Sequence, residues 1–197
     1  MPKITDILTN DIQACKQCIT IICHKKFPAK THGNKDSDYM LLSEAPGKES
    51  LIKGKYWTGI GGSIFRDCCK KAGVELEELF YLTDIVKCWP NKDDKNRTPL
   101  NNEIETCSEF LKREIFELNP KLILSFGKSC SEYLLGRKVK MDSEHGKIYS
   151  HGSSQILILY HPTNINWNMD RAKYINQISA LFSLLKNNDL KNITAIF

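Results

Sequence analysis

An aspartate and a cysteine, four residues apart, close the apolar segment Phe80-Tyr81-Leu82-Thr83-Asp84-Ile85-Val86-Lys87-Cys88-Trp89-Pro90. A carboxylate at the end of a buried strand can read a polar edge of a substrate, and a thiolate is a soft metal ligand. Asp84 is therefore read as the substrate reader and Cys88 as one of four metal ligands. The others are the Cys15-x-x-Cys18 pair and Cys107, which follows Cys88 after 18 intervening residues. Four thiolates select zinc or an iron–sulfur cluster. The second pair is not a Cys-x-x-Cys knuckle, which argues against a zinc ribbon. The competing reading is burial, since cysteine is among the most buried residue types. That reading suits Cys68, Cys69 and Cys130 on apolar helical stripes. It suits Cys15 and Cys18 less, because Lys16 and Gln17 lie between them; Cys23 follows closely.

Further candidates sit where other apolar runs stop: Glu44 after residues 39–43, Gly127-Lys128-Ser129 after 121–126, and His161 after 156–160. Each has a plainer reading. Glu44 could cap a helix or pair with Lys48, and His161 before Pro162 could be a turn histidine. Lys128 and Ser129 open a helix, where free N–H groups and the dipole favour an anion such as phosphate; many such turns hold only water. Trp57, in a Gly-rich stretch, is harder to assign to a core.

The positioning elements follow from periodicity. Short, nearly all-apolar runs at 39–43, 80–86, 121–126 and 156–160 read as buried strands. Helical spacing marks 63–72, 101–117, 128–135 and 171–186, with a short amphipathic segment near the N-terminus. Residues 25–38, 91–102 and the Gly/Ser/His-rich 136–155 read as loops. The pattern predicts an α/β fold in three layers, with a four-stranded, mostly parallel sheet between helices. Ligands of such sheets bind beyond the carboxyl ends of the strands, where Glu44, Asp84, Lys128, Ser129 and His161 all fall.

The 197 residues suit one domain, 1–197, with a full core. No run is long enough to span a bilayer and no signal-type segment opens the chain, so no membrane partner and a cytoplasmic location are expected. Eight cysteines in a reducing compartment point to metal binding or catalysis and away from disulfides. The net charge of +5 permits an anionic partner such as nucleic acid.

Six motifs then occur in order: Ser43-Glu44-Ala45-Pro46-Gly47, Gly54-Lys55-Tyr56-Trp57-Thr58-Gly59, Thr83 to Pro90, Arg97-Thr98-Pro99, Leu122 to Gly127, and His161-Pro162-Thr163. Together they resemble the iron–sulfur uracil-DNA glycosylases, the family-four type, from about Cys15 to about Leu185. The resemblance implies a DNA glycosylase acting as a monomer on DNA, with a [4Fe–4S] cluster on Cys15, Cys18, Cys88 and Cys107 that braces the structure. It implies that Trp57 stacks on a flipped base, that His161 faces a base carbonyl, and that Asp84 stands where the family reads uracil with an Asn. Gly47 stands where another branch carries a Tyr that excludes bulk at the pyrimidine 5-position. The loop between Cys88 and Cys107 is about three residues longer than usual, and Ser43 replaces a Gly. Ser50 stands near the usual place of an acidic residue, leaving Glu44 or Glu49 as the carboxylate.

The Asp84 departure bears on the substrate. An amide donates to uracil O4 and accepts from N3–H, whereas an ionised carboxylate only accepts and so repels O4. It accepts the N4–H of cytosine, and a protonated carboxyl, which burial favours, can also satisfy N3. The expectation is a cytosine-type base, modified because excising ordinary cytosine would destroy the host genome, as in foreign or viral DNA. A protonated Asp84 donating to O4 would retain uracil activity, the first alternative. The others are an inactive iron–sulfur DNA-binding protein and, more weakly, a metal-stabilised RNA-binding protein.

Overall fold

The computed structural model describes residues 2–21, 24–165 and 170–197; Cys23 lies outside them. Five strands form one sheet: β1 (Tyr39–Ser43), β2 (Tyr81–Asp84), β5 (Leu122–Phe126), β6 (Ile148–His151) and β7 (Ser154–Leu159), in spatial order β2-β1-β5-β7-β6. The first four in that order are parallel, as the apolar runs predict. The fifth, β6, is an addition to the four expected. It pairs antiparallel with β7 across the Gly152-Ser153 turn. Its residues are half-buried or exposed, so the apolar run that marks the central strands is missing there.

Alternation along the strands splits the core into two layers. Leu41, Leu124, Phe126, Leu157 and Leu159 face α3 (Ile60–Ala72) and the helix 171–186, here α8. Met40, Leu42, Ile123, Ile156 and Ile158 face α1 (Asp6–Ala14), α5 (Asn101–Leu118) and α6 (Lys128–Leu135). Short helices α2 (Lys48–Lys53), α4 (Leu76–Leu79) and α7 (Met141–Glu144) complete the connections. α8 starts where the Asp170 side chain accepts from Lys173 N–H and ends at Lys186, within the bounds that periodicity predicts.

The exposed edge of β2 is covered by residues 32–34. Leu82 N–H donates to His32 O at 2.8 Å, and Asn34 N–H to Phe80 O at 3.0 Å. Gly33, at φ 71°, fits there because a Cβ would stand 2.5 Å from Phe80 O. The stretch 91–102, expected to be a loop, contains a small hairpin, β3 (Asn91–Lys92) and β4 (Lys95–Asn96). Asp93 and Asp94 form its turn at φ 50° and 59°, the left-handed pair that a tight two-residue hairpin needs.

Candidate active site

The parallel strands all end at one cleft of about 580 Å³. Every predicted base-site residue lines it: Glu44, Gly47, Trp57, Asp84, Lys128, Ser129 and His161. Ser43, Phe27, Tyr56, Asn96, Arg97 and Phe126 line it as well. Of these, Phe27, Tyr56, Phe126, Asn96 and Arg97 were not singled out by sequence reasoning as site residues. Tyr56, Arg97 and Phe126 lie inside motifs, but nothing local marked Phe27 and Asn96.

Asp84 is 1% exposed at the end of β2. Ser43 is its Cα partner on β1, and the Ser43 hydroxyl donates to Asp84 Oδ1. Oδ2 has no hydrogen bond among the described residues. Burial, with the Glu114 carboxylate adding to it, pushes the carboxyl up to about 7, against the opposing pull of the Ser43 hydroxyl, the Lys87 ammonium and the Tyr56 hydroxyl. A buried polar atom without a partner costs about 1–3 kcal/mol, and Asp84 is among the residues that line the cleft. Beneath it, Lys87 donates to Thr83 Oγ1 at 2.7 Å and forms a buried ion pair with Glu114. Tyr81 hydroxyl donates to the same Glu114 at 2.8 Å. The end of β2 is thus fixed by a satisfied polar network.

His161 begins the turn after β7. Thr163 N–H donates to His161 Nδ1 at 3.3 Å, and the Thr163 hydroxyl lies 2.7 Å from the same nitrogen. Burial pulls the imidazole down to about 4. The ring is therefore neutral near pH 7, and with Nδ1 accepting, its proton sits on Nε2 as a donor. Gly127, at φ 94°, has a Cβ position 3.5 Å from His161 Cβ, so the β5–α6 turn and the histidine lie together.

Trp57, which its Gly-rich stretch made hard to assign to a core, is in fact part of the core layer with Phe65 and Phe126 while also lining the cleft. It is 7% exposed and adopts φ 56°, strained for a bulky residue. Its ring stacks on Phe65 at 4.4 Å, meets Phe126 edge-on at 5.7 Å and lies 5.3 Å from His161. Gly62 permits this, because a Cβ there would stand 2.0 Å from Trp57 C and O. Phe27 stacks on Tyr56 at 3.8 Å, a second aromatic element lining the cleft.

Glu44 lines the cleft half-buried; it neither caps α2, whose N-cap is Gly47, nor pairs with Lys48, which binds Asp94. Glu49 also lines the cleft.

On the other side of the β2 exit, Cys15, Cys18, Cys88 and Cys107 line one small cavity with Ile12, His24, Lys26 and Phe110. Cys15 follows α1, Cys88 follows β2 and Cys107 lies on α5. Cys68, Cys69 and Cys130 are in the apolar core. Burial, with neighbouring thiols adding to it, pushes Cys18 up to about 11 and Cys88 up to about 12. Lys87 N–H donates to Cys107 Sγ at 3.2 Å. Among the described residues no group of three or more His, Cys, Asp or Glu is arranged to hold a metal ion.

A model of the uracil DNA glycosylase superfamily matches residues 31–183. A type-4 uracil-DNA glycosylase of Saccharolobus solfataricus is 30% identical over 163 residues, 80% of this chain and 73% of that protein. Type-4 uracil-DNA glycosylases of Archaeoglobus fulgidus and Thermotoga maritima are 24% and 25% identical. They are matched over 81% and 82% of this chain, and over 82% of each relative. No helix among the described residues is long and apolar enough to cross a membrane.

Proposed function

The chain belongs to the uracil-DNA glycosylase superfamily, among its type-4 enzymes, and we propose that it uses Asp84 to select a 4-amino pyrimidine, a cytosine-type base, flipped out of DNA. It is a monofunctional DNA glycosylase. The observation that carries the base preference is the buried Asp84 carboxyl at the cleft lining, with Oδ1 engaged by Ser43 and Oδ2 buried without a hydrogen-bond partner among the described residues. Because Ser43 holds one oxygen, the other is presented to the base. Ionised, Oδ2 accepts from an amino group at C4; protonated, it donates to a carbonyl there. Each form leaves a buried mismatch with the other base, and sites of this kind discriminate by roughly 10⁴ or more when fully committed. With the carboxyl at about 7 both forms are populated at neutral pH, so uracil is the second substrate in this reading.

Flipping costs about a few kcal/mol, and stacking in the cleft on Trp57 offsets roughly 1–3 kcal/mol of it. Lys128 and Ser129, at the start of α6, hold a backbone phosphate. The C1′–N1 bond breaks with its electron pair leaving on the base. His161 Nε2–H meets the base carbonyl O2, where the negative charge gathers, and is neutral beforehand, so no proton has to be lost first. Water then bonds C1′, its proton passing to Glu44 or to solvent. Glu44 also offsets the positive sugar.

Cys15, Cys18, Cys88 and Cys107 would hold a [4Fe–4S] cluster. All four donors are thiols lining one cavity, the soft all-sulfur set that an iron–sulfur cluster takes. When bound, the cluster ties the end of α1, the exit of β2 and α5 together; the base chemistry uses none of it. The chain acts as one monomeric domain in a reducing compartment such as the cytoplasm. Where modified cytosines mark foreign DNA, its action would be defensive.

The test is base release followed by alkaline cleavage, on DNA carrying uracil, cytosine or 5-hydroxymethylcytosine, with wild type and Asp84→Asn. Release of a cytosine-type base that Asp84→Asn redirects to uracil supports the reading. Uracil release alone, unaltered in the variant, refutes it; tight DNA binding with no abasic product would favour an inactive DNA-binding protein.

A further inference from the structure

The hairpin β3–β4 brings to the cleft a side chain whose orientation is fixed by its surroundings. Asn96 Oδ1 accepts two hydrogen bonds, from Trp89 Nε1–H at 2.8 Å and from Lys48 N–H at 3.0 Å. Both donors lie on one side of the amide, so the oxygen and nitrogen of Asn96 cannot exchange places without losing both bonds. Nδ2 then faces Gly47. It stands 3.7 Å from where a Cβ on Gly47 would be, and among the described residues no other atom outside Pro46–Lys48 lies within 4 Å of that position. Asn96 is exposed, and no residue among those described accepts from Nδ2, which is open to solvent where Asn96 and Gly47 line the cleft together.

The hairpin that carries this amide is held at several points. Lys48 forms an ion pair with Asp94 in the turn, Arg97 N–H donates to Pro90 O at 3.2 Å, and Arg97 pairs with Glu103. A donor held in this way and left without an acceptor is pre-organised for a ligand.

Its place in the cleft indicates which ligand atom. Ser43 at the end of β1 pairs with Asp84, and the chain runs from Ser43 directly through 44–47, tied to the β2 exit by Val86 N–H donating to Glu44 O at 3.0 Å. The resemblance puts Gly47 at the pyrimidine 5-position, so in the pyrimidine reading a base whose C4 group meets Asp84 turns its neighbouring ring edge, C5, towards Gly47. We propose that the Asn96 amide donates to an oxygen carried on C5 of the flipped pyrimidine, making Asn96 a specificity-determining residue for oxidised or hydroxylated 5-substituents. This rests on the pyrimidine reading given above. Gly47 supplies the space and Asn96 the hydrogen bond, so a 5-substituent is recognised as well as admitted.

The test compares kcat/KM for cytosine with 5-formylcytosine, and for uracil with 5-formyluracil, in one strand sequence. A formyl oxygen can only accept, so it distinguishes an amide from a carboxylate. The variants are Asn96→Ala and Asn96→Asp; the latter keeps an oxygen for Trp89 and Lys48 and puts a charged acceptor in place of the donor. The readout is the formyl-to-unsubstituted ratio relative to wild type, in which the intrinsic lability of the formyl base cancels. Loss of one hydrogen bond lowers that ratio about tenfold in Asn96→Ala, and repulsion lowers it further in Asn96→Asp. An unchanged ratio overturns the proposal, even if both activities fall together, because that pattern belongs to a phosphate contact or to the hairpin itself. Release confined to the uracil pair refutes the 4-amino preference and still decides Asn96 through that pair. No release of any of the four bases by wild type overturns both.

Discussion

Asp84 makes base choice a function of pH, and the slope of that function can be worked out. Its carboxyl titrates at about 7 in the folded protein, and the ionised and protonated forms offer opposite hydrogen-bonding partners at Oδ2. The fraction that accepts from a 4-amino group rises with pH and the fraction that donates to a 4-oxo group falls. Their ratio changes about tenfold per pH unit, so between pH 6 and 8 the 4-amino to 4-oxo selectivity climbs about a hundredfold. His161 does not interfere, because burial holds it at about 4. The assay is single-turnover release of the two bases from matched oligonucleotides across that range, read as kcat/KM, which reports the free enzyme. In Asp84→Asn the slope should vanish and 4-oxo release should dominate at every pH. A flat ratio in wild type, or the same slope in the Asn variant, would show that Asp84 does not read the base.

The same residue bears on stability. Its folded value of about 7 lies above the ordinary 3.8, so the folded state loses stability as pH rises from about 4, reaching a loss of roughly 4 kcal/mol above pH 7. The Tm of Asp84→Asn relative to wild type should therefore increase from pH 4 to pH 8, and a constant difference would contradict the burial argument. His161→Ala removes the donor aimed at the leaving base and should slow single-turnover release by about 10²–10³; an unchanged rate would assign the histidine to the turn alone. Cys107→Ser should abolish iron binding and iron–sulfur absorbance and lower Tm, whereas full iron content in that variant would exclude Cys107 as a ligand. Gly62→Ala places a Cβ 2.0 Å from the Trp57 backbone, so it should displace that ring and lower both Tm and base release; wild-type values of both would mean that the loop can move aside.

The sequence alone determined the features that depend on neighbours along the chain. Four apolar runs marked the parallel strands because central strands are buried on both faces, and 3.6-residue spacing marked α8 to its bounds. The motif residues at strand ends foretold the cleft, since parallel strands bring all their carboxyl ends to one side. Strand β6 was missed because a half-exposed edge carries no continuous apolar run. What only the tertiary structure decided is how residues distant in sequence act on one another. Ser43 and Asp84 were separate departures on paper; strand register makes them hydrogen-bonded partners. Asn96 had no signal of its own, because its role depends on Trp89 and Lys48 fixing its oxygen. The charge state of Asp84 is likewise a property of its surroundings, because desolvation and nearby charges raise or lower a carboxyl according to what the fold packs around it.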